Sequence, residues 1–121
     1  MTEPAASKVA GLVVRVGGAR WYLGVESVVE VLRTPTIARI PGAPATVAGL
    51  VNHRGHVLTV ADPVRALALP GQGGSGRDVV VVEEGSQRFA LAVDAVIELV
   101  PEARTGLAAL DLERVRQVVF G

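Results

Sequence analysis

Two stretches of this chain match each other, and that match limits its architecture more than any other feature. Residues 20–32 read RWYLGVESVVEVL and residues 88–100 read RFALAVDAVIELV. A basic residue, an aromatic, Leu, Val, an acid, Val, Glu and the flanking apolar positions recur in register at an offset of 68. A duplicated unit of this kind predicts two related lobes built on one plan. The ends of the two units also match. VADPVRAL (60–67) resembles ALDLERV (109–115), with an aspartate opening a helix in each, but here the offset is 49. The second unit is therefore 19 residues shorter. What it lacks corresponds to GLVNHRGHVLTV (49–60), a whole hairpin.

Half of the residues are apolar, mostly Val, Leu and Ala. Branched valine suits a pleated surface and points to strands. Leu12, Val14 and Val16 alternate as a strand, and Gly17-Gly18 is a hairpin signal. Trp21, Leu23 and Val25 continue as a second strand. Val25, Val28, Val29 and Leu32 then fall at i, i+3, i+4 and i+7, which predicts a short helix ended by Pro35. Residues 34–48 hold three prolines and read as loop. Val51 and its neighbours enter a hairpin that turns at Arg54-Gly55 and returns through Val57–Val60. Asp62-Pro63 has the chemistry of a helix start, with a capping carboxylate and a proline at the first helical position. Residues 79–82 are apolar on both faces, as in a central strand, and Phe89, Leu91 and Val93 alternate as the next one. Asp94 is expected at a strand end. Asp111 caps a last helix whose Leu112, Val115 and Val119 share a face. This reading gives one domain over 9–121: a first lobe at about 9–69, a flexible linker at 70–77 and a shortened second lobe at 78–121. Residues 1–8 are a polar, frayed start.

Charge and cysteine content exclude several functions. Lys+Arg and Asp+Glu are 12 each, and Lys8 is the only lysine. A neutral chain lacks the basic footprint of a nucleic-acid binder. Without cysteine there is no disulfide, thiolate-metal or cysteine-nucleophile chemistry. No apolar run approaches the roughly 20 residues of a membrane span, and the start MTEPAASKVAG lacks the pattern of a signal peptide. A cytoplasmic protein is expected.

The run IPGAPATVAGLVNHRGHVLTVAD (40–62) resembles the central block of CheW-like domains, in which a proline-containing loop leads into a G-[LVI]-x-N-x-R-G hairpin and an apolar strand ending in aspartate. YLGVESVVEVLR (22–33) is similar to the segment that precedes it. The resemblance covers roughly residues 10–100 and is to a shortened member, of the Frz-type, FrzB-like kind of gliding bacteria. It implies a mainly β fold of two pseudo-twofold-related SH3-like barrel lobes, the second truncated. It implies a non-enzymatic adapter with no cofactor, which links chemoreceptor cytoplasmic tips to a CheA-type histidine kinase; the hairpin missing from the second unit predicts that the kinase contact is weakened. The resemblance gives Asn52, Arg54 and Gly55 as the docking motif, with Glu30 as the partner of Arg54. The apolar lining of a receptor-binding groove is sought among Val28, Val31, Val51, Val57 and Leu58, with Val51 and Val57 foremost. His53, usually apolar in the family, and Pro63, usually Leu, depart from the pattern, as do residues 101–110.

Other readings of the same residues are weaker. Arg54 read alone is an ordinary solvated arginine, and Glu30 can pair with Arg33 on its own element. His53 and His56 supply two ligands, which do not make a zinc centre. Ser27, His53 and Asp62 can be drawn as a triad, but no Gly-x-Ser-x-Gly elbow is present. Residues 71–76 lack the Lys-Ser/Thr of a phosphate loop. Two alternatives remain: a small hydrolase or ligand sensor using His53 and His56, or a generic SH3-like peptide binder. The second suffers from the shortage of aromatics for a proline-ligand groove.

Overall fold

Valine-rich runs build strands through much of the chain. The computed structural model describes residues 10–73, 77–101 and 106–121. The polar start at 1–8, residues 74–76 of the linker and residues 102–105 of the divergent segment lie outside the described residues. Strands β1 (Gly11–Val16), β2 (Ala19–Gly24) and β3 (Val28–Leu32) come first, then β4 (Val47–His53) and β5 (His56–Ala61). A one-turn helix α1 (Pro63–Ala66) follows, then β6 (Asp78–Glu84), β7 (Gln87–Val93), β8 (Ala95–Val100) and helix α2 (Leu112–Phe120).

The strands form two sheets, ordered β2-β1-β8 and β3-β6-β7-β5-β4. Each sheet draws strands from both sides of residues 70–77, so the hydrogen bonding crosses the sequence boundary between the two repeats. Under the offset of 68, β1, β2 and β8 are the counterparts of β6, β7 and β3. The lateral contacts repeat both offsets. Val60 of β5 pairs parallel with Ala90, and Ala109 pairs parallel with Tyr22. Ala90 lies 68 residues after Tyr22, and Ala109 lies 49 after Val60. The counterpart of β5 is thus a single bridge, made by Tyr22 N–H to the Ala108 carbonyl (2.9 Å) and Leu110 N–H to the Tyr22 carbonyl (3.0 Å). Among the described residues β4 has no counterpart. Among the described residues the lobe of β2, β1 and β8 has three strands and a bridge, and the lobe of β3, β6, β7, β5 and β4 has five strands, so each lobe mixes residues of 9–69 and 78–121.

Two cores follow from this layout. β6 and β7 are central, and their two faces serve different cores. Val80, Val82, Phe89, Leu91 and Val93 meet Leu12, Val14, Val16 and Leu23 in a core shared between the sheets. Val79, Ala90 and Ala92 turn the other way and fill the five-stranded lobe with Val51 and Val60. In the short lobe the counterparts of Val79 and Ala90 are Gly11 and Tyr22. A side chain at Gly11 would collide with the Tyr22 ring, so that ring lies directly on the strand backbone. The Tyr22 hydroxyl donates to the Ala10 carbonyl at 3.0 Å. One large ring from β2 occupies the side of the sheet that the longer lobe covers with its hairpin.

Both helix starts follow their capping chemistry. Asp62 Oδ1 accepts from the N–H groups of Val64 (3.0 Å) and Arg65 (3.3 Å), and Asp111 Oδ1 accepts from Arg114 N–H (3.0 Å). Leu112 and Val115 bury the inner face of α2, and the Phe120 ring packs 5.5 Å from Phe89. Asp94 takes a strand-end role, its Oδ2 accepting from Gly18 N–H at 3.1 Å.

The helix expected over 25–33 is not formed. A single 3-10 turn spans Val25–Ser27, and β3 then runs antiparallel to β6. The register shifts between Val28 and Glu30, leaving Val29 as an extra, exposed residue. Such a bulge breaks the two-residue alternation, and the broken alternation imitates a helical period. Branched residues at 28, 29 and 31 complete a pleated edge beside Val80 and Val82.

Candidate functional site

β4 and β5 meet in a two-residue turn. Arg54 (φ 53°) and Gly55 (φ 84°) both adopt left-handed backbone. That is the turn whose twist matches antiparallel strands, and glycine takes its second position without strain. His53 and His56 face each other across the ladder at the base of the turn. Asn52 Oδ1 accepts from Gly55 N–H at 3.0 Å and stiffens the bend. The N-x-R-G spacing is therefore a geometric unit: an amide that holds the turn, an arginine projected at its tip, and a glycine that permits it.

The turn does not stand alone. β3 and β4 are the outer strands of the five-stranded sheet, yet Glu30 of β3 reaches the β4–β5 turn. Glu30 Oε1 accepts from Arg54 Nε at 3.1 Å and lies 2.7 Å from His53 Nε2. A carboxylate has no proton to give, so the imidazole Nε2–H is the donor. The sheet has curled far enough for a side chain of one outer strand to reach the turn at the end of the other, and this three-residue contact spans the seam that the Ala38–Leu50 backbone bridge (2.8 Å each way) also helps to close. The side chains differ sharply in exposure: 4% for His53, 34% for Glu30 and 75% for Arg54. The hydrogen bond from His53, then that from Arg54, holds the Glu30 carboxyl below the usual glutamate range.

The expected docking residues occupy distinct places around this seam. Glu30, Asn52, Arg54 and Gly55 come together at its surface. Val57, directly opposite Asn52, is 65% exposed, an unusual position for valine. Val51 is buried in the barrel core beneath them, and Leu58 packs partly against the same core. Val28 and Val31 lean on the core shared by the two sheets. Glu30 pairs with Arg54 and His53, not with Arg33. Sequence reasoning did not assign His53 to this contact. Its signal was a polar residue at an inward-facing position, two residues after buried Val51, where the family pattern is apolar.

The residues drawn as a triad are not brought together. Oδ1 of Asp62 is engaged by the two N–H groups of α1, beyond the far end of β5 from His56, and His53 turns to Glu30. Among the described residues no three His, Cys, Asp or Glu side chains gather as metal ligands. Among them, too, no helix is long and apolar enough to cross a membrane. A cleft of about 520 Å³ lies between the proline loop and α1, lined by Arg39, Pro44, Asp62 and Arg65 among others.

Comparison with known proteins gives one consistent picture. Residues 10–102 match the model of the CheW-like domain. Over 54 residues, 45% of this chain and 34% of the relative, the sequence is 41% identical to Protein FrzA of Myxococcus xanthus. The structure superposes on scaffolding protein TtCheW from Thermoanaerobacter tengcongensis with a TM-score of 0.65 and 27% identity, covering 78% of this chain and 65% of that one. The matched parts thus span about a third of the curated relative and just under two thirds of the solved one.

Proposed function

The chain belongs to the CheW-like family, and from that premise we propose that it is a non-catalytic adapter of a cytoplasmic chemosensory assembly. Its docking face is the seam of the five-stranded lobe. A chemoreceptor cytoplasmic tip would be recognised by Arg54, positioned through Glu30 and the Asn52–Gly55 turn, and by the exposed methyls of Val57 beside it. Val51 supports this face from the core. The observation that carries the reading is the Glu30–Arg54 contact at the tip of a stiffened turn, next to an apolar side chain held in water. A polar anchor beside an exposed apolar surface is the usual chemistry of a protein docking site.

The second lobe sets the other half of the proposal. Among the described residues the short sheet, β2-β1-β8, lacks the counterpart of β4 and keeps one bridge of β5. Contacts that a full-length adapter makes with a CheA-type kinase through that lobe would therefore be altered, and kinase binding would be weak or absent. The protein would tune which receptors join an array instead of coupling them to the kinase.

Two titrations test this, one with a receptor tip fragment and one with the kinase's CheW-like domain. Binding to the first and weak or no binding to the second is expected. Tight kinase binding through the short sheet of β2, β1 and β8 would overturn the second half. Turnover of a substrate that disappears in His53→Ala or His56→Ala would overturn the non-catalytic reading.

A further inference from the structure

We propose that His53 is a positioning residue for the docking arginine and makes receptor docking sensitive to acidification. This rests on the docking reading above and adds a control to the same site. Glu30 presents one oxygen, Oε1, to both His53 and Arg54. With a neutral imidazole the contact holds one anion, one cation and one neutral donor, and the charges balance. His53 is nearly inaccessible, whereas Arg54 is mostly in water.

Protonating His53 places a second cation on the same carboxylate oxygen. The two cations repel, and their alternatives are unequal. A buried imidazolium cannot exchange Glu30 for water without a large desolvation cost. The guanidinium of Arg54 is already solvated and leaves easily. The buried histidine therefore keeps Glu30, and Arg54 loses the contact that orients it. The groups facing His53 are Glu30 from β3, Arg54 from the turn and His56 opposite on β5. β6 and β7 line that lobe's core with Val79, Ala90 and Ala92. Glu30 is the one acidic group in this set, so no second carboxylate within it absorbs the added charge.

The test measures affinity for a receptor tip fragment from about pH 8 to about pH 5.5, a span that brackets the physiological range. It uses the wild type, His53→Leu, His53→Gln and His56→Gln, each checked for folding by circular dichroism. The wild type should lose on the order of tenfold in affinity on acidification, the scale of one hydrogen bond to a charged group. His53→Gln keeps an N–H donor without a titrating proton, so it should retain neutral-pH affinity and lose the pH dependence. His53→Leu should bind weakly and flatly at every pH, and His56→Gln should keep the wild-type pH dependence. A receptor-independent readout is the titration of the Glu30 carboxyl carbon by NMR, which should move up toward the ordinary glutamate range in His53→Leu. A flat wild-type profile, a slope that persists in His53→Gln, or an unmoved Glu30 would each overturn the proposal. Absence of receptor binding at any pH, with Glu30 still shifted by His53, would instead sink the docking reading.

Discussion

Val57 separates docking from folding most cleanly, because it lies opposite Asn52 with 65% of its surface in water. Val57→Ala removes two methyl groups. Each is worth about 0.8 kcal/mol when transferred fully out of water, about 1.6 kcal/mol together. With 65% of the residue exposed, roughly 1 kcal/mol of that gain remains to be realised when a partner covers it. Affinity for a receptor tip should therefore fall about fivefold, since about 1.4 kcal/mol is tenfold. The denaturation midpoint should hardly change, because the folded chain gains little from an exposed side chain. Val51→Ala is the matched control. The same truncation in the barrel core forfeits the transfer energy and leaves a cavity, together about 2 kcal/mol of stability. Isothermal titration against the receptor tip and urea unfolding of both variants give the four numbers needed. If Val57→Ala binds like the wild type, or costs as much stability as Val51→Ala, the seam is not the docking face.

Other perturbations address the remaining links. Arg54→Glu should stay folded by circular dichroism and bind the receptor tip at least about tenfold more weakly, because the docking charge is reversed and Glu30 is left facing a like charge; wild-type affinity in a folded variant would refute this. Asp62→Ala removes the acceptor for two N–H groups of α1 and should cost about 1–2 kcal/mol in urea unfolding; an unchanged midpoint would show that the cap is dispensable. The depressed Glu30 carboxyl stabilises the fold above the ordinary glutamate range, and that contribution is lost as pH falls through its folded value. Glu30→Gln should therefore be less stable than the wild type near neutrality, with the gap closing in acid. A gap independent of pH would mean that the charge on Glu30 contributes nothing.

The parts of this molecule that were legible in the sequence are those with local chemistry. Asp62-Pro63 and Asp111 mark helix starts because capping needs only a carboxylate and the next two or three N–H groups. The offsets of 68 and 49 reappear as equivalent strand pairings because both copies bury the same alternation. The residues around Val29 were misread because a bulge depends on the partner strand β6, which no local window contains. The pairing of first-half with second-half strands was equally invisible, since register is set by long-range contacts. At the site, the resemblance placed Glu30 beside Arg54. The role of His53 needed the curl of the sheet, which brings a β4 residue to the β3 edge across four intervening pairings. Tyr22 shows the same limit, because its aromatic identity says nothing of the Gly11 backbone that gives the ring its place.

Whether the seam between β3 and the β4–β5 turn is where this chain meets a receptor tip is tested most directly by mapping the contact itself. A receptor tip fragment titrated into isotope-labelled protein would report on every backbone amide. The largest shift changes should gather at residues 28–32 and 49–58, with Gly55 and Val57 foremost, while β1, β2 and α2 stay nearly unchanged. Saturable changes centred on α2 or the short sheet, with the β4–β5 turn unaffected, would contradict it.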